Sequence, residues 1–194
     1  MTDPMDGRFF DLSIDVYVPG RWYMSEPATP DGQEVDDIWM FTRGEPIEPP
    51  GRLLIPMYRP GKPLDYTTAG ASSAPIVSER VAEVFRELAH QDIQLFPVDV
   101  EGQANPYYLL IAARKIRCID DEACEEVRFF TAEGIRPERA GEYEVVYGLR
   151  IDKSKVGDAR VFKLWGWRPA FIVAGEVRAA LERTGISGGY FEEV

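Results

Sequence analysis

Thirty-three carboxylates and a single histidine set the terms of any chemistry this 194-residue chain could perform. A Ser-His-Asp or Cys-His mechanism would have to run through His90. That residue follows an amphipathic stretch, where an imidazolium simply suits the negative end of a helix dipole. The sequence holds no G-x-x-x-x-G-K-[ST], no G-x-G-x-x-G after a strand, no G-x-S-x-G and no H-E-x-x-H. Gly70-Ala71-Ser72-Ser73 is a turn of small residues without the lysine of a phosphate cradle. Cys118 and Cys124 form no C-x-x-C pair, and one histidine cannot complete a zinc site, so they read as one packed thiol and one inert thiol in an acidic loop. No cofactor and no metal is called for. Carboxylate pairs within the ~5–9.5 Å that glycoside chemistry uses arise by chance in any acidic chain. They leave a carboxylate-dependent hydrolase or transferase as the alternative reading.

Two acidic clusters stand out as partner-binding candidates. Glu34, Asp36 and Asp37 run directly into Ile38-Trp39; Asp120, Asp121, Glu122, Glu125 and Glu126 occupy a connection between two expected strands. Carboxylates around an aromatic suit a binding anchor, because binding energy concentrates on aromatics. Solvated loops would look the same, and Trp39 could equally be a core residue pinning its loop. The formal charge is −11, and it is uneven: residues 1–100 carry 8 basic and 17 acidic side chains, and residues 1–50 alone carry 3 and 11. Such a field repels nucleic acid and anionic membranes and attracts basic surfaces. It also serves solubility alone, or an acidic scaffold with several partners. No apolar run approaches the ~18–20 residues of a membrane span, and the acidic start MTDPMDGRFF lacks the basic region of a signal peptide. A cytoplasmic protein that contacts neither nucleic acid nor membrane is expected.

The elements that would position these residues read as α+β: a mixed or antiparallel sheet, two main helices and a long irregular N-terminal excursion. One domain spanning 1–194 is expected, within which 1–70 could stand as an N-terminal lobe against a main body of 71–194. Residues 8–18 alternate, with Phe10, Leu12, Ile14, Val16 and Val18 on one face. Residues 21–50 lack periodicity and are rich in Pro, Gly and acids, with a short strand expected at 38–42. Further strands are expected at 52–58, 92–100, 107–119, 127–130, 144–151, 160–165 and 190–194, and 170–173 leads into the second helix. The run 107–113 is apolar on both faces and belongs in the middle of a sheet. A helix over 78–89 presents Val81, Val84, Phe85 and Leu88 as one stripe for that sheet. A second, over 176–184, ends at Gly185 in the left-handed C′ position.

Several stretches together resemble immunity family eleven of bacterial polymorphic toxin systems. They include Tyr17-Val18-Pro19-Gly20-Arg21-Trp22, Glu34-Val35-Asp36-Asp37, Trp39-Met40-Phe41 and Leu64-Asp65-Tyr66-Thr67-Thr68-Ala69-Gly70. Phe96-Pro97-Val98-Asp99-Val100, Arg117-Cys118-Ile119-Asp120, Leu149-Arg150-Ile151-Asp152-Lys153, Val156-Gly157-Asp158 and Phe191-Glu192-Glu193-Val194 continue the likeness over nearly the whole chain. The resemblance implies a protein that protects its producing cell by binding a cognate secreted toxin, often a nuclease of the histidine-metal type. It assigns no contact residues. The acidic charge agrees with it, since a nuclease needs a basic surface for phosphate and an acidic protein can occupy that surface.

Overall fold

Alternation decides most of the architecture of the protein, whose computed structural model describes residues 7–194. In chain order the strands are β1 Phe9–Ile14, β2 Tyr23–Met24, β3 Leu53–Ile55, β4 Met57–Arg59, β5 Tyr66–Ala69, β6 Ala74–Ser78, β7 Ile93–Val100, β8 Tyr107–Ala112, β9 Lys115–Ile116, β10 Glu126–Phe129, β11 Tyr143–Tyr147, β12 Val161–Leu164, β13 Trp167–Ala174 and β14 Gly189–Glu193. Two α-helices complete the set, α1 Glu79–Ala89 and α2 Gly175–Arg183. The class is α+β with mixed sheets.

The larger sheet has seven strands in the order β3-β7-β8-β6-β5-β2-β4, with β3–β7 and β2–β5 parallel and the other pairs antiparallel. Its two edge strands, β3 and β4, are consecutive in the chain and separated only by Pro56. The segment after β2 continues along them, with Ser25 N donating to the Pro56 carbonyl (2.9 Å) and Ala28 bridging Leu54. One kinked strand therefore serves both edges, and the sheet closes on itself as a small barrel. Pro56 is tolerated because closure asks only for its carbonyl. Closure also leaves no open edge to aggregate. Trp22, Phe41, Leu53, Ile55, Ile76, Leu109 and Ile111 fill the interior. On β8, Tyr107, Leu109 and Ile111 point inward, while Leu110 and Ala112 point outward into a second core. An apolar run on both faces thus marks an interior strand, as its sequence implies.

The five-stranded sheet, β14-β1-β13-β12-β9, packs beside the barrel with both helices in the shared core. In α1, Val81, Val84 and Phe85 are buried and Leu88 is half-buried against the same cluster, which includes Leu110 of β8 and Phe10, Leu12 and Ile14 of β1. Gly185 ends the second helix with φ +64°, where a side chain would be strained. The far face of this sheet carries a third core, formed with residues 116–156 and the two-stranded hairpin β10–β11.

Two carboxylates tie these layers together. Asp65 accepts hydrogen bonds from Ser78 Oγ (2.9 Å), Arg80 Nε (2.6 Å), Ser187 N (2.9 Å) and Ser187 Oγ (2.6 Å). Burial opposes its ionisation, but the bonds from Arg80, Ser187 and Ser78 prevail and hold its carboxyl well below the usual range. Asp92, buried, accepts from Arg114 Nη1 (2.9 Å), Arg160 N (2.7 Å) and Val161 N (3.3 Å).

Four expectations from the sequence change. The first strand stops at Ile14, and Val16 beyond it is 59% exposed. Ile38–Thr42 is a 3₁₀ turn, not a strand, because the Asp37 side chain accepts from Trp39 N (3.1 Å) and offers the backbone a local alternative. The strand expected over 107–119 breaks after Ala112, and β9 joins the other sheet beside β12. β5 and β6, in a stretch of Thr, Ser, Gly and Pro, had no periodic signal.

Candidate partner-binding surface

The first acidic cluster sits on the barrel's long connection between β2 and β3. Trp22 and Phe41 are driven into the barrel, which fixes both ends of the excursion, and Glu26 anchors its middle by accepting from Ser72 N (3.0 Å) and Ser72 Oγ (2.8 Å). Gly70 makes that anchor feasible: φ is +61°, and a Cβ there would lie 2.0 Å from the Glu26 carboxyl carbon. Glu34 and Asp36 are exposed and make no hydrogen bond or ion pair among the described residues. Asp37 is half-buried and engaged twice, at the 3₁₀ turn and with Arg43 Nη2 (2.6 Å). Trp39 is 42% exposed, with the Arg168 guanidinium 5.9 Å from its ring. It is a surface aromatic, not a core residue.

The second cluster divides in the same way. Asp120 Oδ1 accepts from Ala123 N (3.2 Å), closing a turn, and Asp121 accepts from the Tyr143 hydroxyl (2.6 Å). Burial, and then Asp121 itself, push the Tyr143 hydroxyl up and keep it a donor. Glu126 lies 3.5 Å from Arg128 on the same strand. Glu122 and Glu125 are exposed and unpaired among the described residues.

The turn between β12 and β13 is the common neighbour of the two clusters. Arg168, at the start of β13 just past that turn, faces Trp39, while Gly166 in the turn lies against Tyr143, a Cβ there falling 3.2 Å from the ring. Between them is a cleft of about 370 Å³ whose lining includes Arg43, Lys115 and Arg168 as well as Glu45 and Glu142. Arg117 stacks on Trp165 at 4.2 Å in the same turn. The surface is therefore not a uniform acidic face: the cleft between the clusters is lined by charges of both signs. Arg168 and Tyr143 were not singled out in the sequence, where isolated arginines and tyrosines carry no positional signal.

A family model described as Immunity protein family (Imm11) matches residues 43–194. The chain belongs to this immunity protein family. No curated protein matches it. The Imm11 match takes in the whole second cluster, the Arg168 turn and both helices, and begins immediately after the 3₁₀ turn that carries Trp39.

The remaining reactive groups of this Imm11 protein are committed to structure. Cys118 is fully buried in the third core, where burial pushes its thiol up to about 11. Cys124 accepts from Arg150 N through its sulfur (3.3 Å), and both cysteines are free thiols. His90 caps α1 in the exposed position its helix-end setting implies. Among the described residues no three His, Cys, Asp or Glu side chains converge to hold a metal ion, and no helix is long and apolar enough to cross a membrane.

Proposed function

We propose that this protein neutralises a cognate toxin by forming a stoichiometric complex with it in the cytoplasm of the producing cell, and that the toxin is a basic, nuclease-type domain. The observation that carries this reading is the division of the acids within an immunity-family chain. Glu34, Asp36, Glu122 and Glu125 are exposed without side-chain partners among the described residues, and Trp39, which follows the first pair in the chain, is exposed as well. Like charges left uncompensated cost self-repulsion, and a basic partner relieves it. A phosphate-binding surface is such a partner, so occupying it would exclude nucleic acid. Trp39 supplies the apolar anchor around which rim charges act. No catalytic step is assigned to the chain.

Co-expression with the product of the neighbouring reading frame tests this. The expected result is a 1:1 complex by light scattering and loss of the toxin's nuclease activity that is complete at one equivalent. Loss of toxin activity at strongly substoichiometric amounts, with turnover abolished by a single carboxylate substitution, would replace this reading with an enzymatic one.

A further inference from the structure

A second cleft, lined by the residues on either side of Arg168, lies where the β10–β11 hairpin meets the five-stranded sheet. Its volume is about 470 Å³, within the ~300–1,000 Å³ range of built ligand sites. Trp167, Tyr147 and Pro169 give it an aromatic and apolar portion of wall. Its charged lining is of one sign: Asp11 from β1, Glu192 from β14 and Glu125 from the turn before β10, with no Lys or Arg side chain among the lining residues. None of the three acids forms a salt bridge among the described residues, although ion pairs are frequent elsewhere on this surface.

The cleft is shaped, not merely acidic. Gly148 has φ +60°, and a Cβ there would lie 2.4 Å from Glu125 Cγ, so the Glu125 side chain lies across a position that only glycine keeps open. Asp11 is fixed from below by the Phe171 amide, which donates to Oδ1 (2.9 Å). Burial raises the Asp11 carboxyl to about 6 and Glu192 adds to the rise, against the Phe171 amide and the Lys163 charge. Tyr147 is 65% exposed at the mouth, an aromatic left in water on a strand whose Tyr143 and Val146 pack into the third core.

We infer that this cleft is a socket for one basic side chain, an arginine or lysine projecting from a partner protein. A cation on an apolar stem is the chemistry that fits: the stem lies along Tyr147 and Trp167, and the head meets three carboxylates that form no salt bridge among the described residues. Charge complementarity favours a polypeptide source, because the partner proposed above is basic. The socket rests on that reading for the identity of its partner but not for its chemistry. A metal ion suits it less well, since the acids do not converge to metal-ligand geometry.

The test uses a probe that does not depend on the toxin. The full chain, isotopically labelled, is titrated with the blocked tripeptide acetyl-Gly-Arg-Gly-amide and with its neutral isostere containing citrulline. The arginine peptide is expected to shift the amides of Tyr147 and Gly148 and the indole N–H of Trp167. Its affinity should exceed that of the citrulline peptide at least tenfold. The combined change Glu125→Gln and Glu192→Gln should weaken it at least tenfold, with the other amides unmoved, and Tyr147→Ala should weaken it severalfold. Equal binding of the two peptides, shifts confined to the 34–39 region, or the same shifts produced by magnesium chloride alone would each overturn the socket. The toxin complex separates the two proposals. Toxin that binds the wild-type and the Gln variant equally overturns the socket and leaves the inhibitor standing. Toxin that binds neither overturns the inhibitor, and the peptide titration then decides the socket alone.

Discussion

Asp65 and Asp92, where the sheets and helices meet, accept five and three bonds respectively, whereas Glu34, Asp36, Glu122 and Glu125 on the surface accept none. All are carboxylates in one acidic chain, yet they do opposite work. The first group holds elements together across long stretches of sequence; the second contributes repulsion. Clustering in the sequence picks out the second group, since structural acids occur singly and find their partners only after folding. A run of acids is therefore a better pointer to what a protein displays than to what stabilises it. Within each run the division repeats on a smaller scale, with Asp37, Asp120 and Asp121 drawn inward and their neighbours left in water.

Substitution at the junction gives the largest expected effect. Asp92→Ala leaves two backbone amides and an arginine without their acceptor, and should cost about 3–5 kcal/mol in urea unfolding. Asp158 pairs with the same arginine (Arg114 Nη2, 3.0 Å), but its side chain is 84% exposed. Asp158→Asn should change stability by less than about 0.5 kcal/mol. Similar costs at the two sites would erase the distinction between the two kinds of acid.

Acid titration sharpens the same contrast at Asp65. Its folded carboxyl sits below its unfolded value, so the stability it contributes is complete above about pH 4 and is lost as pH falls below that. Unfolding midpoints measured from pH 6 to pH 2 should fall steeply for the wild type. Asp65→Asn should start lower, by about 2 kcal/mol, and show a shallower acid limb. Parallel acid limbs would mean that other carboxylates govern the acid response.

Asp37→Ala tests the intermediate class. Removing the acceptor for Trp39 N and the Arg43 partner should cost about 1 kcal/mol, the ordinary worth of a helix cap. It should also free Trp39, visible as a red shift in fluorescence. An unchanged spectrum would mean that Arg168, not the turn, sets the indole's position.

How far the sequence revealed this depends on whether the needed partner lay nearby. The stripe Val81-Val84-Phe85, the two-faced run of β8 and the Gly185 terminus are local patterns, and the structure has them where the pattern places them. β5 and β6 were missed because Tyr66-Thr67-Thr68-Ala69 and Ala74-Pro75-Ile76 carry no alternation to mark a strand. They are strands because barrel closure supplies neighbours on both sides, and strand preference is largely such context. Trp39 and Arg168 meet only through the fold, as do Asp121 and Tyr143. The hairpin cleft draws Asp11 and Glu192 from opposite ends of the chain, so no spacing could announce it.

The smallest expected effect on stability is the most informative for function. Glu34→Lys with Asp36→Lys removes two exposed acids that bond to nothing, so the fold should hold to within about 0.5 kcal/mol. Adding Asp37→Lys would confound the result, because that residue also caps the turn under Trp39. If residues 31–48 face a basic toxin, the double variant should associate more slowly while dissociating at an unchanged rate, since rim charges act on encounter. Raising the ionic strength should slow wild-type association toward the variant's rate as the Debye length falls below ~10 Å. Stopped-flow association at two salt concentrations measures both effects. A double variant that associates as fast as wild type at low salt would place the steering charge elsewhere, and the same substitutions at Glu122 and Glu125 would then discriminate between the two clusters. Those residues lie inside the stretch matched by the family model, and Glu34 and Asp36 lie before it. A larger effect at the second pair would mean that toxin recognition belongs to the part shared across the family, and a larger effect at the first that it belongs to the excursion preceding it.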